Sequence, residues 1–536
     1  MSQEAGQSSA RLLPSITQSI AQSIQDYLED HPAAALLEDG RVLFDMRRAR
    51  YAVSESHGRC LLQLWSEERN VVRTVVEVRR RAHSLLLMTR RMGAAKPQTL
   101  ELAPSSDRRT PTVRDAARRN YQKLLERVLV RAFPGARVDA LRSATDLEHS
   151  FGPAYTRGGL LRGTAADAVI GVGEAESAAM VDGVLTLGIL WLDYCRGKAQ
   201  ARRHFGGLKV IVPAAAWRTT AERMAWLHHG AADFQLFTLD ERNEELAAVD
   251  FRDTGNLDAR LVHAFSASAA IERCQAGIER LMDLVPAAAR ERVEMRAGSP
   301  SEAGLHLHGL EFARVRQRAA ADSFGRRDEI TFGAGAHETP LQEDTEPLCR
   351  ELFARLFESR RADGEHTDPL FRMQPERWLE SELRRGMGQL LPGLRADLLY
   401  AQVPALSSGD RGMLDLLALD AGGRLNVLEL KANEDLHLPL QALDYWMRVR
   451  ALNADRQPVA GSARPLSAFE RQGYFEGAAV SALEPKLVLA APALRIHPAN
   501  ETVLRYFAPQ MEWELIALGE HWRRELKIVF RKRGKG

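Results

Sequence analysis

Cysteine is scarce in this 536-residue chain. Its four residues, Cys60, Cys195, Cys274 and Cys349, include no C-x-x-C pair. That scatter excludes a disulfide-dense scaffold, disfavours a structural zinc site, and fits a reducing cytoplasm. Long apolar runs are missing too. The longest, around Val184 to Leu192, falls far short of the ~20 residues a spanning helix needs. The opening MSQEAGQSSARLLPSIT lacks a basic stretch ahead of an apolar core, so no signal peptide is expected. No Walker A or helicase motif occurs, which argues against ATP-driven translocation. What remains is ordinary globular composition, 45% apolar and 27% charged. The length allows about three or four domains at roughly 150 residues each. The expectation is a cytoplasmic, soluble protein with no membrane contact.

The formal net charge of +2 names no partner, but its distribution is uneven. Arg41 to Leu100 carries 13 Lys/Arg against 5 Asp/Glu, and His521 to Gly536 carries seven against one. Clustered positive charge suits a phosphate backbone, because neutralised phosphates release counterions. Arg79, Arg80 and Arg81 follow the strand-like VVRTVVEV and are the candidate phosphate contacts. A solvated Arg-rich surface is the plainer alternative.

Residues 1–37 read as an N-terminal helical segment. Residues 38–105 read as a basic β-rich module of short apolar runs (RCLLQLW, VVRTVVEV, SLLLMT) broken by turns such as SEERN and RRRAH. PSSDRRTP (104–111) looks like a linker, and 112–285 like an α/β domain. Residues 286–374, with the linker-like GSPSEAG, read as a linker holding short strands and a helix. Residues 375–536 form a second α/β domain. The two α/β segments match in order: Phe133-Pro134-Gly135 with Leu391-Pro392-Gly393, LTLGILWLDYCR with LPLQALDYWMRV, LKVIVPA with PKLVLAAP, and FQLFTLDE with WELIALGE. Four matches in one order point to an internal duplication.

The stretch GMLDLLALDAGGRLNVLELKANEDLHLPLQALDYWMRVR (412–450) carries the chemistry. LDLLALD and RLNVLELK read as strands joined through Ala421-Gly422-Gly423, a hairpin loop. If Asp420 faces Arg424, then Asp415 faces Glu429, with Cβ atoms about 5 Å apart. Two-residue alternation puts Lys431 on the face of Glu429 and turns Leu428 and Leu430 into a core. Facing carboxylates repel, and a hard divalent cation, Mg²⁺ or Mn²⁺, offsets them. Lys431 beside them could orient a water and help deprotonate it. The bland alternative is an exposed acid, or one paired with Lys431.

This arrangement resembles the PD-(D/E)XK (restriction-endonuclease-like) nuclease superfamily. PERWLESELRRGM…LLPGLR…QVPA…GMLDLLALDAGGRLNVLELK…QALDYW is most similar to the C-terminal domain of NucS-type endonucleases. The resemblance covers about 376–450 well, weakens towards 520, and is silent on 1–110. It implies Asp415 and Glu429 as metal ligands, Lys431 as the catalytic lysine and Gln441 as the active-site glutamine. Glu380 best matches the helix glutamate that completes the metal site, with Glu376 and Glu382 on the same helix as rivals. Leu414 stands where the family often has proline.

The first copy departs from the pattern. Asp167 in AADAVIGVG could align with Asp415, but GEAESAAMVDG offers no E-x-K, and Leu190 stands in place of Gln441. It reads as a degenerate nuclease-like domain. Gly171-Val172-Gly173 lacks the third glycine of a dinucleotide loop. His306 and His308 alternate on a probable strand, but Glu311 has the opposite parity and no cysteine is near, so an ordinary strand face is favoured over a metal site. His228-His229 has no partner pattern. Tyr445 and Trp446 fall among apolar residues at helical spacing and read as core.

The expected fold class is therefore α/β multi-domain: a small N-terminal β-rich module, then two restriction-endonuclease-like α/β domains, the first degenerate and the second intact. The expected function is metal-dependent endonucleolytic hydrolysis of DNA, in repair or in restriction and defence, with nucleic acid as partner. RNA as substrate and homodimerisation stay open. The rival is a non-catalytic nucleic-acid-binding or scaffold protein that keeps the nuclease-like fold.

Overall fold

Alternating apolar strands build the first sheet. In this computed structural model the described residues are 16–38, 41–47, 49–56, 59–65, 70–90, 98–105, 107, 111–146, 148–199, 203–255, 259–319, 326–335, 338–407 and 410–534. The opening MSQEAGQSSARLLPS, most of the SEERN turn and half of PSSDRRTP lie outside them. Seven antiparallel strands between Ala35 and Ala103 form one sheet, and Ala35–Glu38 sits inside it between Arg41–Asp45 and Gln98–Ala103. The amphipathic helix Ile16–Asp30 lays Ile20, Ile24, Tyr27 and Leu28 onto Leu62, Leu64, Val75, Leu87 and Leu100. The helix is thus part of the β module's core, where sequence reading had set 1–37 apart. A strand face that alternates in and out leaves one apolar side to cover, and the helix covers it.

Two α/β domains follow with one wiring. The first runs α1 (Pro111–Ala132), β1 (Arg137–Arg142), β2 (Tyr155–Arg162), β3 (Ala165–Val172), α2 (Ala178–Lys198), β4 (His204–Pro213), α3 (Arg218–Met224), β5 (Asp233–Asp240) and β6 (Glu245–Val249). The second runs α4 (Pro375–Leu390), β7 (Leu394–Ser407), β8 (Asp410–Asp420), β9 (Leu425–Leu430), α5 (Leu438–Ala454), β10 (Lys486–Pro492), α6 (Pro498–Arg505), β11 (Trp513–Leu518) and β12 (Ile528–Gly534). Strand order is β1-β2-β3-β4-β5-β6 in one sheet and β7-β8-β9-β10-β11-β12 in the other. The third-to-fourth and fourth-to-fifth pairings are parallel in both domains, and the rest are antiparallel. Parallel neighbours need crossovers, and α2 and α3 supply them in the first domain as α5 and α6 do in the second.

Registers agree as well as order. The parallel ladders end at Pro213↔Leu239 and Gly171↔Ile211 in the first domain, and at Pro492↔Leu518 and Leu430↔Ala490 in the second. Superposing these ends sets Ile170 on Glu429, Val172 on Lys431, and Asp167 on Asn426. Arg157, the β2 partner of Ile170, then falls on Asp415. Asp167 therefore belongs to the strand that matches the E-x-K strand. It does not match Asp415, as its Asp-Ala-Val setting suggested.

The two domains meet through equivalent segments. Leu227 and Phe507 form an isolated antiparallel bridge. The His228 N–H donates to the Tyr506 carbonyl and the Ala508 N–H to the Trp226 carbonyl, both at 2.8 Å. Leu227 and Phe507 are counterparts, and exchanging the two domains turns each of these hydrogen bonds into the other, which is the signature of a twofold axis. Around it, Arg223 on α3 makes a bidentate pair with Asp444 on α5 (2.6 and 2.8 Å), and Arg196 on α2 donates to the Tyr506 hydroxyl at 3.0 Å. Trp446 is buried against Trp226, as its apolar setting predicted.

The 286–374 stretch is a domain with its own core, not a linker. Helices Ala267–Arg273 and Gln275–Leu284, a five-stranded antiparallel sheet between Val293 and Pro340, and helix Glu346–Ser359 enclose Ile278, Leu281, Leu305, Phe312 and Phe353. GSPSEAG is the hairpin between the first two of those strands. Ala259–Leu261 joins the edge of the last domain by pairing with β7, so 112–285 divides among three bodies. Turn-forming residues mark hairpins and linkers alike, and only packing separates them.

Among the described residues one helix, α2, is long and apolar enough to cross a membrane. Its Val184, Leu185, Ile189 and Leu192 are fully buried in the first domain's core.

Candidate active site

The hairpin that carries the carboxylates forms in the expected register. Asp420 and Arg424 close it, with the Asp420 N–H donating to the Arg424 carbonyl at 3.0 Å, and Gly423 supplies the positive φ of 76°. The β8–β9 ladder runs from Leu419↔Leu425 to Leu416↔Leu428, so the next pair in register is Asp415 and Glu429. Leu428 and Leu430 go into the core under α4 as alternation requires. Asp415 Oδ2 accepts the N–H of Leu430 at 3.0 Å.

Burial governs the electrostatics. Glu429 is 5% exposed, and its Oε2 is buried without a hydrogen-bond partner. Burial, then the Asp415 carboxylate, hold its carboxyl well above the usual range, against a smaller pull from Lys431. The Asp415 carboxyl is raised by burial and, further, by Glu380, while the Leu430 N–H and Lys431 oppose the shift. Lys431 Nζ stands 3.9 Å from Glu429 Oε1 and 3.4 Å from Asp435 Oδ2. Two desolvated carboxyls facing each other repel when both ionise, and Glu429 Oε2 has no donor apart from a proton shared with Asp415.

Glu380 reaches the pair from α4, but as a bound group. Its Oε1 takes Arg296 Nη1 at 3.0 Å, and its Oε2 takes Arg377 Nη1 at 3.1 Å and Gln402 Nε2 at 2.7 Å. Gln402 also points its amide at Asp415 Oδ1, 3.4 Å away. Among the described residues no group of three His, Cys, Asp or Glu side chains is arranged to hold a metal. The expected three-carboxylate set is therefore not assembled, because two arginines and an amide occupy its third member. The rival helix acids are elsewhere. Glu382 is held by His308, Trp378 and Arg385, and Glu376 by Asn433.

Gln441 borders the junction of the two α/β domains. It lies in the first turn of α5, in the wall of a cavity of about 1090 Å³ between the two α/β domains, with Asp182, Arg223, Asp444 and Tyr445. Arg79, Arg80 and Arg81 stand exposed at the end of a β-hairpin, as their turn position predicted. Arg79 is already paired with Glu77 at 2.6 Å. His306 is half-buried, and desolvation and Arg296 push its imidazole down to about 4. His308 occupies a turn at φ 46°, not a strand.

Sequence reading missed Arg296 and Gln402. Arg296 comes from the domain taken for a linker, 84 residues from Glu380, and nothing local announces it. Gln402 had a signal: it opens the QVPA stretch opposite LDLL, and it adopts φ 54°, where a non-glycine residue is strained. Neither the protein-family models nor the curated proteins contain a match to this chain.

Proposed function

We propose that the C-terminal α/β domain is a Mg²⁺- or Mn²⁺-dependent deoxyribonuclease of the PD-(D/E)XK kind. The observation that carries this reading is the Asp415–Glu429 pair: two facing carboxyls on adjacent central strands, Asp415 half-buried and Glu429 buried with one oxygen lacking a donor, beside Lys431. Their hard oxygens fit a divalent ion of this type. Asp415 and Glu429 would hold it, and Glu380 would lie outside them, neutralised by Arg296 and Arg377. When bound, the ion offsets charge that develops on the phosphoryl oxygens. Lys431 orients the attacking water and stabilises the same charge. The buried wall of Leu428 and Leu430 keeps the carboxylates fixed. In this reading the first α/β domain is a nuclease-like fold without chemistry, and the arginine hairpin at Arg79–Arg81 contacts phosphates.

The rival, a non-catalytic nucleic-acid-binding protein, is favoured by one observation, the arginine-locked Glu380. Incubation with single-stranded, duplex, branched and mismatched DNA and with RNA, in Mg²⁺, Mn²⁺ or EDTA, separates the two. Ion-dependent cleavage supports the nuclease, and binding without cleavage under every condition supports the rival.

A further inference from the structure

The bond pattern at the domain junction repeats residue for residue. The Leu227 N–H donates to Met224 at 3.2 Å, and Phe507 to Leu504 at 3.2 Å. Ala231 donates to His228 at 2.9 Å, and Met511 to Ala508 at 2.9 Å. Each second bond is the first moved along the chain by one constant step. With the reciprocal bonds across Leu227 and Phe507, the two α/β domains form a twofold pair fused in one polypeptide. A twofold protein presents equivalent faces to the two strands of a duplex, whose backbones are themselves related by twofold axes.

The two faces differ in chemistry. At the positions of Asp415, Glu429 and Lys431 the first domain has Arg157, Ile170 and Val172. Arg157 is 1% exposed, stacks 4.5 Å from the centre of the Phe151 ring and donates to the Ala144 carbonyl at 2.9 Å. It serves the domain's interior. Asp167, the nearest acid on β3, is committed to Lys209 at 3.1 Å. Among the described residues that face carries no second carboxylate pair.

We infer that the chain nicks duplex DNA: each engagement cuts one strand and leaves the other whole. This rests on the phosphodiesterase reading above. In the single step a water oxygen bonds to phosphorus, one phosphorus–bridging-oxygen bond breaks, and the leaving oxygen takes up a proton. One water is consumed per cut, with no oxidant or other reactant.

Supercoiled plasmid, incubated with the full chain and Mg²⁺ or Mn²⁺ over a range of protein concentrations, tests it. The expected result is loss of the supercoiled band to nicked circle, with linear DNA only after nicked circle has accumulated. A duplex labelled on both strands should show single cuts per molecule at early times. Linear plasmid formed from the outset overturns the inference, and a steeper-than-linear dependence of that product on protein concentration would trace it to a second copy. Cleavage of single-stranded circles but not of plasmid also overturns it, while leaving the hydrolase reading intact. No cleavage of any substrate overturns the hydrolase reading beneath it. Asp415→Asn, which should yield neither product, excludes a contaminating nuclease.

Discussion

Arg157 occupies in the first α/β domain the place that Asp415 occupies in the second, each on the second strand of its domain and each facing the third. One is an arginine buried against a phenylalanine ring, the other a half-buried aspartate facing a buried glutamate. One backbone thus supports opposite charges at one site, which is what freedom from a shared chemical task permits.

Asp415→Asn, Glu429→Gln and Lys431→Ala should each cut the rate of phosphodiester cleavage by about 10²-fold or more, the usual scale for losing a charge-stabilising group. Circular dichroism should show the fold unchanged. A variant that cleaves at the parental rate would remove its residue from the site.

Glu429→Gln should stabilise the ion-free protein, and more so as pH rises. The folded-state pKa of Glu429 lies well above its unfolded value, so the folded form binds the extra proton between the two. Stability from this group is full below the unfolded pKa and is lost as pH climbs through the folded one. Melting temperatures of parent and variant should converge at acid pH and separate by several degrees towards neutral. Mg²⁺ should raise the melting temperature of the parent only.

Arg296→Ala should destabilise the protein by about 1–3 kcal/mol, because it strips one hydrogen-bonded cation from a carboxylate in a desolvated site. Glu380 keeps Arg377 and Gln402, which holds the loss below that of an unpaired buried charge. Chemical denaturation measures it. An unchanged midpoint would show that Arg296 does not bear on Glu380 in solution.

Asp167→Ala should leave cleavage at the parental rate. The residue lies at the match of Asn426, and its partner Lys209 retains Gln235 at 2.6 Å. Loss of activity in a folded variant would reveal chemistry in the first domain.

Replacing Arg79, Arg80 and Arg81 together should weaken duplex binding and flatten its salt dependence. The log–log slope should fall by about 0.9 for each phosphate that the protein no longer neutralises. Arg79 already has Glu77, so most of the effect should come from the other two, which single substitutions can apportion. An unchanged slope would transfer the phosphate-binding role to the basic strand Ile528–Gly534.

The hairpin from Asp415 to Glu429 was legible in the sequence because a glycine-bearing loop and strict alternation are local features, and they fix which side chains face each other. The duplication was legible for the same reason: each copy repeats its own run of apolar residues and turns. The sequence alone therefore determined the carboxylate pair and the doubled α/β plan. Tertiary packing decided the rest. It made a domain of the expected linker, brought Arg296 to Glu380, and put Gln441 in the wall of a cavity between the two α/β domains. It also set Leu227 against Phe507 on a twofold axis. Such pairings join residues far apart in the chain, and they depend on how whole elements bury their apolar faces. No pattern within a few residues records that.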